Sequence, residues 1–263
     1  MSEITEARVS RSTVQVDGET VSHPVDLPGL GHSGRELTPA TATVPALAAW
    51  AARCASALGI SGPVAVAGHD ISGAVAQHLL VHGLLPVSRP ALVNSVTYDS
   101  WPAPHVARFR GQGAAADDVL AARGQAVTSA LAGAATERLV ADYPRPWTVP
   151  RVRRSWLALA GAADSRYTLE LVPALRRCTT PKLLVWGEDD AYEKVAYAER
   201  FAAEMPETTL VRVPGADHLP TENAPGLIAR TLADFFTARR TPAEGRRVRG
   251  DGGGSRVTAG SPG

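Results

Sequence analysis

The chain has 263 residues, 44% of them hydrophobic and 20% charged, a balance that excludes a disordered or fibrous chain and suits one soluble globular body. Its formal net charge of +1 provides no field for gathering nucleic acid or an anionic membrane surface. Two cysteines, Cys54 and Cys178, lie too far apart for metal-ligand spacing, and no stretch offers the ~20 apolar residues of a membrane span or the apolar centre of a signal peptide.

Taken in chain order, residues 8–21 alternate apolar and polar around Asp17-Gly18, which predicts a β-hairpin. A turn-rich run, Asp26-Leu-Pro-Gly-Leu-Gly-His-Ser-Gly34, follows. Leu47, Trp50, Cys54 and Leu58 recur at helical spacing and predict a helix over 43–58. Val64-Ala-Val-Ala reads as a short strand, Gly73-Ala-Val-Ala-Gln-His-Leu-Leu80 as a helix, and Ala91-Leu-Val-Asn-Ser-Val96 as the next strand. Between about 100 and 178 the pattern changes to short Ala- and Arg-rich helical stretches broken by Pro and Gly. The strand–helix rhythm returns with strands at Lys182–Gly187 and Thr209–Val213 and helices over 193–205 and 224–239. Residues 241–263 collapse to Gly, Arg, Ser and Pro, the composition of a disordered tail.

Strands alternating with helices predict an α/β fold, a mainly parallel sheet with helices on both faces. Residues 1–99 and 179–240 supply the core, and residues 100–178 read as a helical cap inserted over the carboxyl ends of the strands, where open sheets of this kind bind ligands. The two cysteines read as reduced, buried small hydrophobes. His69, His78 and His82 show no metal-site pattern, and Gly29-Leu-Gly-His-Ser-Gly34 lacks the lysine of a phosphate loop. No metal and no organic cofactor is expected. The expected partner is a small-molecule substrate, with no nucleic acid and no membrane, in a cytoplasmic protein whose oligomeric state the sequence leaves open.

The chemistry concentrates at Gly68-His-Asp-Ile-Ser-Gly73. A strand running through a sharp turn into a helix is the setting of a nucleophile elbow, and small residues must flank the nucleophile two places away on each side. Gly68 and Ser72 meet that demand around Asp70, which makes the nucleophile a carboxylate. The bland alternative is that Asp70 caps the helix that follows. Downstream, Glu188-Asp189-Asp190 follows one strand and Pro214-Gly-Ala-Asp-His218 the next, so an acid and an imidazole reach the same edge of the sheet. The order nucleophile, acid, histidine is that of an α/β-hydrolase.

These motifs resemble the aspartate-nucleophile branch of the α/β-hydrolase superfamily, the haloalkane dehalogenase and epoxide hydrolase relatives. Gly68-His-Asp-Ile-Ser-Gly73 is similar to that branch's elbow, Leu184-Val-Trp-Gly-Glu-Asp-Asp190 to the strand that delivers the acid, Gly215-Ala-Asp-His-Leu-Pro-Thr-Glu222 to the histidine loop, and Asp26–Ser33 to its early turn. The resemblance covers roughly residues 8–240. It implies the α/β-hydrolase fold and a covalent ester on Asp70, formed from an epoxide or a carbon–halogen bond and hydrolysed by water that His218, oriented by Asp190, activates. The backbone amide of Ile71 would face the developing oxyanion.

Two departures stand out. No His-Gly-x-Pro motif, nor a strand before it, separates Asp17–His23 from Pro24–Gly29, so the N-terminal strand–loop region reads as shortened and the second oxyanion donor as missing. Ile71 also stands where the dehalogenases place a tryptophan to hold the halide. Trp101, Trp147 and Trp156 in the cap are candidates for that task, and Tyr143 and Tyr167 for holding an epoxide oxygen; for each, plain packing is the alternative. Two other functions stay open: an ester hydrolase or tailoring enzyme using His218 without covalent chemistry, and a degenerate hydrolase kept as a binding protein.

Overall fold

The computed structural model describes residues 15–16, 20–21, 25–110 and 116–238. Strands β1 (Gln15–Val16) and β2 (Thr20–Val21) pair antiparallel with Gln15 opposite Val21, the predicted hairpin reduced to a short ladder; its Asp17-Gly18 turn and the tail at 241–263 lie outside the described residues. Helix α1 (Val44–Ala57) begins where Thr43 accepts a hydrogen bond from the amide of Ala46, and ends at Gly59, whose φ of 74° lets the Ile60 amide reach back to the Ala55 carbonyl.

The main sheet contains β3 (Val64–Asp70), β4 (Val87–Ser95), β5 (Lys182–Gly187) and β6 (Thr208–Val213), in that order and all parallel. Alternation along the strands sorts side chains to opposite faces. Leu92, Leu184 and Trp186 pack on one face with Ala76 of α2 (Ile71–Val81) and with Phe201 of α9 (Val195–Glu204). Ala91, Val93, Leu183 and Val185 pack on the other with Ile228 of α11 (Pro225–Thr237). Helices therefore cover both faces. α2 is apolar nearly all round because it is buried between the sheet, α1 and the segment that follows β4.

Every residue of β5 is buried, whereas Ala65 and Ala67 of β3 are exposed. Among the described residues β3 pairs only with β4, so the strand carrying Asp70 forms the edge of the four-stranded sheet. Between β4 and β5 lie α3 (Pro104–Ala107), α4 (Ala116–Leu131), α5 (Glu137–Asp142), α6 (Pro150–Gly161), α7 (Arg166–Leu169) and α8 (Val172–Leu175), joined by 3₁₀ turns. The early turn docks on α6: Ser155 Oγ accepts the Leu37 amide at 3.0 Å, and a Cβ on Gly29 would lie 2.4 Å from that same oxygen. Cys54 and Cys178 are free and only half-buried, not the fully buried hydrophobes expected. Among the described residues no helix is long and apolar enough to cross a membrane.

Candidate active site

The elbow closes because glycine leaves room for backbone. A Cβ on Gly68 would lie 2.4 Å from the Ser72 carbonyl oxygen, and one on Gly73 would lie 1.6 Å from Ser95 Oγ. Ser72 tolerates a side chain of its own, so the second position that must be bare is Gly73, one place beyond the expected one. At the apex Asp70 adopts φ 52° and ψ −125°, a conformation that costs a non-glycine residue about 1–3 kcal/mol. The turn is held by the Val96 amide donating to the Asp70 carbonyl at 3.1 Å. Although Asp70 occupies the N-cap position of α2, its side chain makes no capping hydrogen bond. The carboxylate is aimed elsewhere.

It points at an imidazole. His218 Nε2 lies 3.9 Å from Asp70 Oδ2, and His218 Nδ1 lies 2.9 Å from Asp190 Oδ2. Burial deepens along the row, with side-chain exposures of 32% for Asp70, 13% for His218 and 0% for Asp190. The histidine loop reaches this place because Gly215, at φ 71°, reverses the chain after β6, and because Gly187 has no Cβ to collide with the Asp217 carbonyl, which would be 2.4 Å away. His69 joins the two walls: its Nε2 donates to the His218 carbonyl at 2.7 Å, as it must, since a carbonyl only accepts.

Asp190 is a buried carboxylate whose oxygens are fully engaged. Oδ1 accepts the amides of Tyr192 and Glu193 at 2.7 and 2.9 Å, and Oδ2 accepts Asn94 Nδ2 at 2.5 Å besides His218. Asn94, at the end of β4 with φ 36°, spends its own Oδ1 on the Gly187 amide at 2.9 Å. One side chain thus ties β4, the end of β5 and the acid together. Asn94 was not singled out from sequence, though a polar Asn-Ser pair at the carboxyl end of an apolar strand was the available signal.

Charges at the site are strongly coupled. Burial alone would push His218 down, but the hydrogen bond to Asp190 and the charges of Asp70 and Asp190 outweigh it and raise the imidazole to about 10. Burial would raise Asp70, but the closely facing His218 and its positive charge, with a further contribution from His69, pull the carboxyl down to about 2. Behind Asp190 lies a second buried acid, Glu193, 1% exposed. Burial first, then the negative charges of Asp70 and Asp190, push it up to about 8, against a hydrogen bond from Ser100. Its Oε2 has no partner.

A pocket of about 260 Å³ opens beside the row, lined among others by His105, Phe109, Arg123, Trp156 and Tyr192. Tyr192 links it to the imidazole, their rings 5.2 Å apart, and His105 stacks on Tyr192 at 4.4 Å. Of the five aromatic residues singled out from sequence, Trp156 lines this pocket. Trp147 packs edge-to-face on Trp156 with centroids 6.1 Å apart. Trp101 is buried in the core beneath. Tyr143 donates its hydroxyl to Glu222 Oε1 at 2.7 Å, and that bond and burial hold the phenol above its usual range. The Tyr167 ring packs on the core while its carbonyl accepts from His78 Nε2. Ile71 buries its side chain in the same core and leads α2, whose first amides have no partner within the helix. Sequence reasoning missed His105, Arg123, Tyr192 and Glu193. Tyr192 and Glu193, two and three places after the acid, were within reach of it. No group of His, Cys, Asp and Glu suited to a metal ion occurs among the described residues.

Residues 12–231 match the family model described as "Alpha/beta hydrolase family". A stretch of 101 residues, 38% of this chain, is 34% identical to the uncharacterized hydrolase YugF of Bacillus subtilis and covers 36% of it, so the match spans little more than a third of that relative's length. Among solved structures, an alpha/beta hydrolase fold protein from Burkholderia ambifaria superposes with a TM-score of 0.68 at 23% identity, over 80% of this chain and 78% of that one. Haloalkane dehalogenase DbeA from Bradyrhizobium elkani does so with a TM-score of 0.66 at 23% identity, over 80% and 78% of the two chains.

Proposed function

We propose, from the premise that this chain belongs to the alpha/beta hydrolase family, that it hydrolyses a small substrate through a covalent ester on Asp70, opening an epoxide or displacing a halide. The observation that carries this is the apex of the elbow. The residue there is a carboxylate, uncapped, ionised down to about pH 2 and faced by His218 at 3.9 Å. A carboxylate oxygen attacks sp³ carbon readily, and the resulting ester then presents a carbonyl to water.

In the first step an Asp70 oxygen forms a bond to the electrophilic carbon as the carbon–oxygen bond of an epoxide, or the carbon–halogen bond, breaks and its electrons leave on that atom. Esterification removes the negative charge of Asp70, one of the influences holding His218 protonated. The imidazole then gives up its proton, to the new alkoxide or to solvent, and becomes a base. In the second step His218 takes a proton from water as the water oxygen adds to the Asp70 carboxyl carbon, and Asp190 holds the imidazolium that forms. The Ile71 amide faces the oxyanion. Collapse of that intermediate breaks the carbon–oxygen bond to the alkoxide, which takes the remaining proton of the added water and leaves as the alcohol, restoring Asp70 as a carboxylate beside a protonated His218. The helices between β4 and β5 act as the cap, and Trp156, Tyr192 and His105 form the wall against which the substrate rests.

Intact-mass spectrometry after exposure to a panel of epoxides and alkyl halides tests this reading. The wild type or His218→Ala should gain the mass of the alkyl group, with the adduct persisting in His218→Ala, and Asp70→Asn should gain nothing. Full turnover by Asp70→Asn overturns it.

A further inference from the structure

Arg123 of α4 lies in the pocket wall with its guanidinium 5.1 Å from the ring centre of Trp147 and 5.7 Å from that of Trp156. It forms no ion pair among the described residues, and its Nε is buried without a hydrogen-bond partner. A desolvated guanidinium with an unused donor is costly, and stacking on indole rings offsets only part of that cost. Asp70 is the acidic side chain whose charge it feels. The other cation of the pocket, Arg108, is exposed at its rim. The pocket therefore offers an aromatic sleeve with an unfilled cationic end, joined to the catalytic row through Tyr192, whose ring lies 5.2 Å from that of His218. Its volume of about 260 Å³ falls below the ~300–1,000 Å³ of sites for drug-sized ligands.

We propose that Arg123 binds the carboxylate of a small anionic substrate, which it holds by its planar donor edge while the reactive carbon reaches past Tyr192 to Asp70. This rests on the pocket being the substrate site of the covalent reaction above. A guanidinium matches a carboxylate in a two-point fork. Its charge also offsets the repulsion an anion would meet from Asp70, which a neutral alkyl halide or epoxide would not require. Arg108 at the rim gives incoming anions a favourable field.

Binding without chemistry separates this proposal from the covalent mechanism. Butyrate and its neutral isostere butyramide are titrated into wild type, Arg123→Gln, Arg123→Lys and Asp70→Asn, with binding read by calorimetry and by the fluorescence of Trp147 and Trp156. The wild type should prefer butyrate by at least about tenfold, since a hydrogen bond to a charged group is worth roughly ten- to a hundredfold in affinity. Arg123→Gln should lose that preference, Arg123→Lys should keep part of it, and Asp70→Asn should keep or increase it. Equal binding of the two probes to wild type, binding of neither, or a preference that survives in a natively folded Arg123→Gln would each overturn the proposal. An Arg123-dependent butyrate preference in the absence of any Asp70 adduct would uphold Arg123 as the carboxylate site and defeat the covalent mechanism instead.

Discussion

Glu193→Gln isolates a single buried charge. Glu193 is 1% exposed, one oxygen has no partner, and burial beside Asp70 and Asp190 raises its pKa to about 8 from an ordinary 4.5. A carboxyl raised in this way favours the folded state only while it is protonated. Below about pH 4.5 folded and unfolded chains both hold the proton, and no stability is lost. Between about 4.5 and 8 the unfolded chain releases a proton that the folded chain keeps, so stability declines as pH rises; above about 8 the loss is complete. At ~1.4 kcal/mol per pH unit the upper bound is about 5 kcal/mol, and relaxation of the surroundings reduces it to a few kcal/mol. Glutamine keeps the shape and an acceptor for Ser100 without the charge. The backbone links of residue 193, its amide to Asp190 Oδ1 and its carbonyl to Trp186 Nε1, do not depend on the side chain. Denaturant unfolding at intervals from pH 5 to 9 should show Glu193→Gln matching wild type near pH 5 and exceeding it by a growing margin that levels off above pH 8. Parallel stability curves for the two proteins across that range would refute the reasoning.

Gly68→Ala places a methyl 2.4 Å from a backbone oxygen, and should cost about 3 kcal/mol in unfolding experiments and displace Asp70, whereas Gly62→Ala, with open space around it, should change stability by less than about 0.5 kcal/mol. Asp190→Asn, which leaves the Tyr192 and Glu193 amides an acceptor but cannot stabilise a cationic His218, should slow ester hydrolysis by about 10²–10⁴-fold in single-turnover assays while the alkylation step is much less affected. Asp70→Asn should lower the pKa of His218 by about 1–3 pH units in an NMR titration, because the nearby charge of Asp70 helps to raise it; an unchanged value would mean that the two side chains do not share a proton balance.

The periodic elements were legible because local rules and burial agree along them. Lys182–Gly187 has the predicted bounds, and α1 and α11 end within two residues of them. The three residues that face one another were legible because each sits at a strand end with turn chemistry beside it. Arg123 was not, because a single arginine on an Ala-rich helix looks like a solvated charge until packing sets Trp147 and Trp156 around it. Asn94 and Glu193 escaped for a related reason. Their importance lies in contacts to Asp190 and the end of β5, more than 90 residues away for Asn94, and no sequence periodicity encodes such a pairing.

Among the described residues Asp70 ends one edge strand of the sheet, His218 follows the other, and Asp190 follows an interior one. Asp190 comes after β5 and is braced by Asn94 from β4, also interior, whereas His218 comes after β6, the edge opposite β3. Asp70 rests on β3, with a strand on one side only among the described residues, and keeps its strained conformation through Val96, Ser95 and the bare backbone of Gly68 and Gly73. Attack on carbon asks little of its surroundings beyond an ionised carboxylate, which His218 secures. Hydrolysis of the ester asks for more, namely a neutral imidazole and donors for an oxyanion, and it is the step exposed to any weakness at the edge. In the proposed covalent reaction, the proton balance between Asp70 and His218 sets the order of events: while Asp70 is charged the imidazole holds its proton, and once Asp70 is esterified the same imidazole becomes able to activate water.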